Sequence, residues 1–327
     1  MKIIFFGTPK FAAKNLEYLI QKGHNIVAVI SNVDTKKGRG RQHTASEVKK
    51  TALSNNLPLI QPQNLKDPLF IEKLKSYNAD LFIVVAFRVL PKKVWGIPKK
   101  GTINLHTSYL PNYRGAAPIN RVLINNEKET GITTFFINEK IDSGTIIMQE
   151  KCALSNNTTA AQLHELLINK GNKLLTNTIN SINDNNMILI PQSEESTMKS
   201  APKITKEMLR IDWNKSADEI HHLVRGVSPY LENNLLLKNI EIFPSAWFIL
   251  KTENDNEKRI KLQLTEINNT IKNKENLSIE TDNKSFLNIY IKNKYLSVLH
   301  LQAEGKKPMT IKQFLQGNKI SPKCKIL

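Results

Sequence analysis

An amide, an imidazole and a carboxylate stand out in this sequence as a set that could act on an acyl group. Asn104 and His106 are two residues apart, so on a β-strand their side chains point to the same face. Asp142 follows downstream in an Asp-Ser-Gly turn signal. An amide and a protonated imidazole can stabilise an oxyanion, and a carboxylate can accept a proton, which acyl transfer requires. Taken singly, each residue also has an ordinary structural explanation.

Strand and helix signals alternate through the first half of the chain and indicate how these residues are positioned. The alternation is typical of βαβ units in a parallel, doubly wound α/β sheet. The predicted strands cover 3–6, 25–30, 81–86 and 102–106, and the predicted helices cover 11–22, 67–77 and 158–182. Asn104 and His106 then lie near the carboxyl end of a strand, where open α/β sheets bind ligands.

The second half of the chain has a different pattern. Residues 183–206 are rich in Asn, Ser, Glu and Pro and lack apolar periodicity, which predicts a linker. Short β-like runs follow at 246–250, 260–264, 286–291 and 295–301, with short helices at 216–224 and 310–315. Several short strands in so small a region predict an open β-barrel.

Composition limits the classes of function. The 327 residues suffice for two domains, and the net charge of +18 favours a polyanionic partner such as nucleic acid. A general bias towards Lys and Asn would produce the same charge without a partner. Cys152 and Cys324 stand far apart, so we expect neither a disulfide framework nor a cysteine-based zinc site. With no leader and no apolar run near ~20 residues, we expect a cytoplasmic protein that does not enter the membrane.

Longer motifs around these residues resemble one enzyme family. The run N-x-H-x-S-x-L-P-x-x-R-G at 104–115 and the Asp-Ser-Gly at 142–144 are similar to the folate-dependent formyltransferases. Segments 3–9, 210–213 and 301–309 resemble the branch that acts on initiator tRNA, so the resemblance covers essentially the whole chain. It implies transfer of a formyl group from 10-formyltetrahydrofolate, a co-substrate, to the α-amino group of methionyl-tRNA.

The resemblance also implies a domain organisation and a catalytic set. We expect a Rossmann-like formyltransferase domain at 1–188, a linker at 189–206 and an OB-like, tRNA-binding barrel at 207–327. Asn104 and His106 would donate to the oxyanion, and Asp142 would accept a proton from the incoming amine and keep His106 charged. No metal takes part in this scheme.

Two loops are implied to bind the folate. One follows the strand that carries His106, and the other begins in the last residues of the predicted strand at 81–86 and continues beyond it. Their residues are Ser108, Tyr109, Leu110 and Pro111 in the first loop, and Val85, Ala86, Phe87, Arg88 and Leu90 in the second. An ordinary buried strand end is the alternative explanation of the second segment. Tyr109 departs from the usual Ser-Leu-Leu-Pro, a change that a loop presenting backbone groups tolerates.

Basic residues are implied to contact the tRNA. They are Lys36, Lys37, Arg39 and Arg41 in a glycine-containing loop and Lys203 in the linker. Such side chains gain affinity from phosphates through counterion release, although solvated surface and a plain linker are the alternatives. Glu47 departs from the usual proline after the loop and adds a charge of the wrong sign for RNA. Residues 231–243 look like an inserted, β-prone segment.

Three functions are compatible with the sequence. The first is methionyl-tRNA formylation by a monomer. The second is formyl transfer to a small amine, such as glycinamide ribonucleotide or an amino-sugar nucleotide, which would need neither the basic loop nor the strong positive charge. The third is an RNA-binding relative without catalysis. The presence of Asn104, His106 and Asp142 together disfavours the third.

Overall fold

The chain forms two compact units. The computed structural model describes residues 1–37, 42–193, 198–231, 234–237, 244–268, 274–321 and 323–327. Unit 1 comprises Met1–Pro118, Glu129–Ala153 and His164–Ala201. Unit 2 comprises Ile119–Lys128, Leu154–Leu163 and Pro202–Leu327. The domain boundaries at 188 and 207 stay a prediction.

Unit 1 is built on a mixed β-sheet. Its strands and those of an adjoining hairpin are β1 (Lys2–Gly7), β2 (Asn25–Ile30), β3 (Thr35–Lys37), β4 (Gln42–Thr44), β5 (Leu59–Ile60), β6 (Leu81–Val85), β7 (Thr102–His106), β8 (Glu129–Phe136) and β9 (Ile146–Ala153). Over the described residues the sheet order is β5-β2-β1-β6-β7-β8-β9, and β3 pairs with β4 alone. The parallel pairing from β5 to β7 confirms the predicted Rossmann-like, doubly wound α/β class.

The last two strands run antiparallel, unlike the purely parallel sheet that the alternation predicted. β7 pairs antiparallel with β8, and β8 pairs antiparallel with β9. Parallel neighbours need a crossover of a dozen or more residues, and the loop between β8 and β9, at 137–145, is too short for one. This hairpin loop carries Asp142.

The helices of the first half fall between the strands. They are α1 (Lys10–Gln21), α2 (Glu47–Ser54), α3 (Pro68–Ser76), α4 (Lys92–Trp95), α5 (Pro118–Ile124) and α6 (Ala160–Asn183). Three of them match the predicted helices to within two residues at each end. α2 was not predicted, because it is short and has few apolar positions. Ser46 caps it by accepting a hydrogen bond from the Lys49 backbone N–H at 3.0 Å.

Across the described residues, no helix is both long enough and apolar enough to span a membrane.

The apolar core of unit 1 leaves the strand ends as the accessible places for polar groups. β6 is buried along its whole length. Ile4, Phe6 and Phe82 pack in one cluster with Phe70 and Leu74 of α3. Each such side chain stabilises the fold by about 1.5–3 kcal/mol through burial. A ligand that needs polar partners would therefore meet them at the ends of β6 and β7 rather than along the buried length of β6.

Unit 2 is an antiparallel sheet with two helices. Its elements are α7 (Ala217–Gly226), β10 (Ala246–Lys251), β11 (Glu257–Asn268), β12 (Ile279–Thr281), β13 (Leu287–Ile291), β14 (Lys294–Ala303), β15 (Met309–Thr310), α8 (Ile311–Gly317) and β16 (Lys325–Ile326). The described strands follow the order β12-β13-β14-β11-β10-β16, and β15 pairs with β14. This arrangement confirms the predicted small OB-like barrel.

Capping and amphipathicity explain α7. Ser216 accepts a hydrogen bond from the backbone of Glu219, whose carboxylate in turn accepts from the Ser216 backbone N–H, forming a capping box. The apolar face of the helix buries Ile220 and Val224 in a cluster that includes Leu262 of β11. The helix is thereby packed against the sheet of unit 2.

Most of the segment predicted as an insertion, 231–243, lies outside the described residues. In the described part, the Leu231 backbone N–H donates to the Leu235 carbonyl at 2.7 Å. The Leu237 N–H donates to the Pro229 carbonyl at 2.8 Å. The role of the segment stays a prediction.

Candidate active site

Strand β7 positions the amide and the imidazole as predicted. Asn104 and His106 are two residues apart in a regular strand, so they share one face. Asn104 is half-buried, whereas His106 is only 6% exposed. Among the described residues, none forms a hydrogen bond with the Asn104 carboxamide, which leaves its NH₂ group able to donate to a ligand.

Both ring nitrogens of His106 face acceptors. Nε2 lies 2.9 Å from the Tyr113 carbonyl oxygen, and since a carbonyl only accepts, this nitrogen carries a proton. Nδ1 lies 3.7 Å from Oδ2 of Asp142. Nδ1 thus faces a carboxylate oxygen at a separation slightly longer than a direct hydrogen bond. The side chains of His106 and Asp142 are 7% and 15% exposed, so solvent screens their attraction little.

The backbone holds Asp142 in this orientation. Its φ of 51° lies in the left-handed region, which Asp tolerates better than most residues. Its Oδ2 accepts a hydrogen bond from the Gly115 backbone N–H at 2.9 Å. Two residues on, a Cβ at Gly144 would lie 1.6 Å from the Phe136 carbonyl oxygen, so only glycine fits there. The sequence signal Asp-Ser-Gly is thus a tight turn that also presents a carboxylate.

Gln192 is a polar contact of this site that the sequence did not reveal. Its Nε2 donates to the carbonyls of Asp142 at 3.0 Å and Gly144 at 2.7 Å. Its Oε1 accepts from Nε of Arg114 at 3.0 Å and from a terminal guanidinium nitrogen at 2.7 Å. Gln192 lies in the stretch predicted as a linker, where no periodicity or motif singled it out.

The first predicted folate loop is tied to β8 and β9 by polar side chains. Thr133 Oγ1 donates to the Ser108 carbonyl at 2.7 Å, and the same hydroxyl oxygen accepts from the Leu110 N–H at 3.2 Å. Gln149 donates to the Leu110 carbonyl at 2.7 Å. Ser108 and Leu110 are fully buried, whereas Tyr109 is 36% exposed. Pro111 follows at a cis peptide bond.

The second predicted folate segment leaves the sheet at the end of β6. Val85 is buried, and Ala86 is exposed with a φ of 48°. Within the described chain, the backbone of 86–90 forms no hydrogen bond, so its N–H and C=O groups can bind a ligand. Leu90 is buried, and Phe87 packs edge-on against Phe6.

The guanidinium of Arg88 in this segment forms hydrogen bonds within the protein. Its guanidinium donates to the Gln63 carbonyl at 3.1 Å and to the Pro62 carbonyl at 2.8 Å. Partial burial lowers the pKa of Arg88. The guanidinium also lies over the Phe87 ring at 5.3 Å. This arrangement favours a role in shaping the segment, while its predicted folate contact stays a prediction.

The predicted tRNA contacts are placed only in part. The backbone of Lys36 and Lys37 forms β3, one arm of the hairpin with β4. Arg39 and Arg41 lie outside the described residues. Lys203 belongs to unit 2 and is exposed. The RNA-binding role of all five residues stays a prediction.

The two sequence departures have local explanations. Lys151 Nζ lies 5.0 Å from the centre of the Tyr109 ring, a cation–π contact at the surface. Glu47 stands in the first turn of α2, where a negative charge is favourable, and pairs with Lys50 at 2.7 Å. Neither departure disturbs the pairing of His106 with Asp142.

A metal site is not found in the part of the chain that the structure describes. No group of three or more His, Cys, Asp and Glu side chains there is arranged to hold an ion. The site therefore combines an amide donor, an imidazole between two acceptors, and a carboxylate. These are suitable groups for stabilising an oxyanion and moving a proton.

Two sequence families match the chain. The family described as Formyl transferase matches residues 1–179. The family described as Formyl transferase, C-terminal domain matches residues 203–319. Together they cover both units apart from the junction and the last residues.

Curated relatives match over the whole length. A protein of Flavobacterium johnsoniae named methionyl-tRNA formyltransferase is 43% identical over 326 residues, which is 100% of this chain and 99% of the relative. A protein of Parabacteroides distasonis with the same name is 40% identical over 324 residues, covering 98% of this chain and 96% of the relative.

Solved structures share the fold at low identity. The sugar 3N-formyl transferase WlaRD has a TM-score of 0.62 and 21% identity, covering 94% of this chain and 99% of its own. HypX from Aquifex aeolicus has a TM-score of 0.63 and 16% identity, covering 98% of this chain and 49% of its own. The family matches and the full-length relatives carry the conclusion: the chain belongs to the formyl transferase family.

Proposed function

We propose that this protein transfers a formyl group from 10-formyltetrahydrofolate to the α-amino group of methionyl-tRNA. The observation that supports this most directly is His106 held 3.7 Å from Asp142 on the strand that presents Asn104. The relatives that are 40% and 43% identical over nearly the whole chain are named for this activity. Charged tRNA as the acceptor makes the cytoplasm the expected compartment.

The two predicted folate segments are suited to a pterin ring. The backbone of 86–90 has free hydrogen-bonding groups that can pair with the polar edge of the ring. The loop 108–111 is held rigid through Thr133 and Gln149, so it can form a fixed wall. Rigid walls and a few unpaired polar groups are what a small-molecule site requires.

The reaction balances with these groups alone. The incoming ammonium first loses one proton, and its nitrogen then forms a bond to the formyl carbon while the carbonyl electron pair moves to oxygen. When this oxyanion collapses, the bond to N10 of the folate breaks, and N10 gains the second proton, which the attacking nitrogen gives up. The products are a formamide on methionine, tetrahydrofolate and one released proton.

Each residue has a distinct part in this scheme. Asn104 donates its free NH₂ to the developing oxyanion, and His106 as an imidazolium adds positive charge beside it. Asp142 accepts the proton that the ammonium loses, directly or through water, and keeps His106 charged. Preorganised groups of this kind act at full strength because they do not reorient during the reaction.

A transfer assay with competing acceptors tests the proposal. The full chain is incubated with 10-formyltetrahydrofolate and methionyl-tRNA, beside glycinamide ribonucleotide and a 4-amino sugar nucleotide. Formylation of methionyl-tRNA alone is the expected result. Turnover of a small amine instead would reassign the acceptor, and tight tRNA binding with no turnover would favour a non-catalytic RNA-binding protein.

A second experiment tests the tRNA-binding residues. Arg39→Ala should raise the KM for tRNA and flatten its dependence on salt, because each lost phosphate contact lowers the salt slope by about 0.9 for duplex nucleic acid. Lys75→Ala is the matched control, since it removes an exposed charge from α3. An unchanged salt slope in Arg39→Ala would assign that loop to ordinary surface.

A further inference from the structure

We propose that Gln192, held by Arg114, is a positioning residue that fixes Asp142 in front of His106. The proposal deepens the formyl transfer proposed above and rests on it. Within the hairpin loop, Gln192 contacts the backbone, at Asp142 and Gly144, and it forms no hydrogen bond with the side chains of the described site residues Asn104, His106 and Asp142. Its effect on the reaction therefore passes through the placement of the Asp142 carboxylate.

The side-chain amide of Gln192 uses its full hydrogen-bonding capacity. Both hydrogens on Nε2 go to carbonyl oxygens, and both lone pairs on Oε1 accept from Arg114. The amide orientation is thereby determined, because the flipped form would place NH₂ against the guanidinium and oxygen against two carbonyls. An amide bound on all sides holds a single rotamer.

These contacts close a ring around Asp142. The carboxylate accepts from the Gly115 N–H, and the carbonyl of the same residue accepts from Gln192. Gln192 in turn accepts from Arg114, which is bonded covalently to Gly115. Asp142 is thus held at its side chain and at its main chain by neighbours that also bind each other. Displacing one member of the ring loosens the carboxylate.

The segment that carries Gln192 is itself anchored on both sides. Ile190 and Ile146 exchange two backbone hydrogen bonds of 2.9 Å, which attach the segment to β9. Further along, the Lys199 carbonyl accepts from the Tyr113 N–H at 2.5 Å. Tyr113 is the residue whose carbonyl binds His106. The stretch predicted as a linker therefore supports both partners of His106.

The conformation of Asp142 explains why such support is needed. A left-handed φ costs a non-glycine residue about 1–2 kcal/mol relative to its preferred conformations, somewhat less for Asp. The hydrogen bonds of Gln192 offset this cost in the folded loop. Without them we expect the loop to relax and the carboxylate to move away from His106.

Two substitutions of Gln192 test the role. Gln192→Glu keeps the interaction with Arg114 but has no hydrogen to donate to the two carbonyls, and Gln192→Ala removes both sets of bonds. Because small misplacements of catalytic groups are costly, we expect each to lower kcat by about 10- to 100-fold with the KM for the folate donor within about twofold. The double variant Arg114→Ala/Gln192→Ala should lose no more kcat than Arg114→Ala alone, since both substitutions remove the same contact.

The decisive readout is the ¹⁵N NMR shifts of the His106 ring, which do not depend on turnover. Their assignment comes from His106→Asn, and thermal unfolding is measured alongside. Gln302→Ala is the matched control, because Gln302 also donates from its amide to a turn carbonyl, that of Lys306, at 2.9 Å. Positioning predicts shifted His106 resonances in both Gln192 variants and unchanged resonances in the control.

The outcomes separate this inference from the proposed function. Lower kcat with shifted His106 resonances supports the positioning role. Unchanged His106 resonances, or full turnover in Gln192→Glu, would overturn it even if the wild-type chain formylates methionyl-tRNA. A wild-type chain that formylates no acceptor would overturn the proposed function, and the His106 resonances alone would then decide whether Gln192 positions Asp142.

Discussion

Two histidines are buried to a similar degree in this chain and face opposite electrostatic surroundings. His106 in unit 1 is 6% exposed and His221 in unit 2 is 3% exposed. His106 lies between the Tyr113 carbonyl and the Asp142 carboxylate, both acceptors. His221 contacts the Thr265 hydroxyl at 3.1 Å, and burial followed by the charge of Arg225 lowers its pKa to about 4.

The difference shows that burial alone does not set the electrostatic surroundings of a histidine. His221 is held neutral because desolvation penalises the charged form and, together with the charge of Arg225, outweighs the smaller opposing effect of Asp218. Such a residue serves packing and hydrogen bonding inside unit 2. The imidazole on β7 differs in having acceptors at both nitrogens and a free amide, Asn104, beside it.

The largest expected effect is a loss of turnover on substitution of Asn104 or His106, with little loss on substitution of His221. Asn104→Ala should lower kcat by about 10²–10³, the usual loss for one oxyanion donor, and His106→Ala should lower it at least as much. His221→Ala should leave kcat within a few fold while lowering the melting temperature. Steady-state kinetics and thermal unfolding of the three variants check this. Full turnover in both Asn104→Ala and His106→Ala would refute the assigned site.

The next effect concerns the cation beside His221. Arg225 is 2% exposed, burial lowers its pKa to about 10, and it donates to the Thr158 carbonyl at 3.1 Å and to Asn126 Oδ1 at 3.2 Å. Arg225→Ala should lower the free energy of unfolding by about 3 kcal/mol, because it removes a buried, hydrogen-bonded charge.

Urea unfolding measures this loss. Arg225→Met, which keeps most of the volume, should lose less than Arg225→Ala. Arg259→Met, at an exposed position on β11, is the matched control and should change the free energy of unfolding little. Equal losses in Arg225→Met and Arg259→Met would show that the buried hydrogen bonds contribute nothing measurable.

The pH dependence of stability sharpens the comparison further. The folded pKa of His221 is about 4 and its ordinary value is 6.5, so between these values the unfolded chain binds more protons. The contribution of His221 is therefore fully present above pH 6.5 and is lost as the pH falls. Acidification from pH 7.5 to 5 should cost roughly 2 kcal/mol through this residue.

Paired unfolding curves at these two pH values isolate this contribution. His221→Gln should have a smaller difference between pH 7.5 and 5 than the wild-type chain. Burial also lowers the pKa values of His222 and His300, so some acid sensitivity should persist in the variant. An identical pH difference in variant and wild type would contradict the neutral state assigned to His221.

The smallest effect lies within unit 1. Tyr109 is 36% exposed and its ring contacts Lys151 at the surface, so Tyr109→Leu should change the free energy of unfolding by about 0.5 kcal/mol. The KM for the folate donor should stay within about twofold, since Thr133 and Gln149 hold the loop through its backbone. A tenfold rise in KM would show that the ring itself contacts the folate.

Much of the fold was predictable because its signals are local. Apolar runs and helical spacing located β1, β2, β6 and β7 and three of the longer helices to within two residues. The β8–β9 hairpin was not predicted, since its strands mix polar and apolar residues and lack a continuous apolar run. Helix α2 was missed for a similar reason, having too few apolar positions to stand out.

The candidate site was predictable to a similar extent. The spacing of Asn104 and His106 predicted a shared face of one strand, which the structure confirms. Gln192 could not be found in this way, because it lies 50 residues from Asp142 in a stretch without periodicity. A contact between residues so far apart in sequence depends on where the backbone of both segments lies in the fold, so local patterns do not reveal it.

By itself, the sequence determined the chemical groups, their spacing on β7, the alternation of strands and helices, and the family. Only the tertiary structure decided which groups meet: His106 with Asp142, Asp142 with Gly115 and Gln192, and His221 with the Thr265 hydroxyl. The physical reason is that strand and helix periodicity depend on near neighbours in the chain. The charge state of a buried group depends instead on whatever distant residues replace its water.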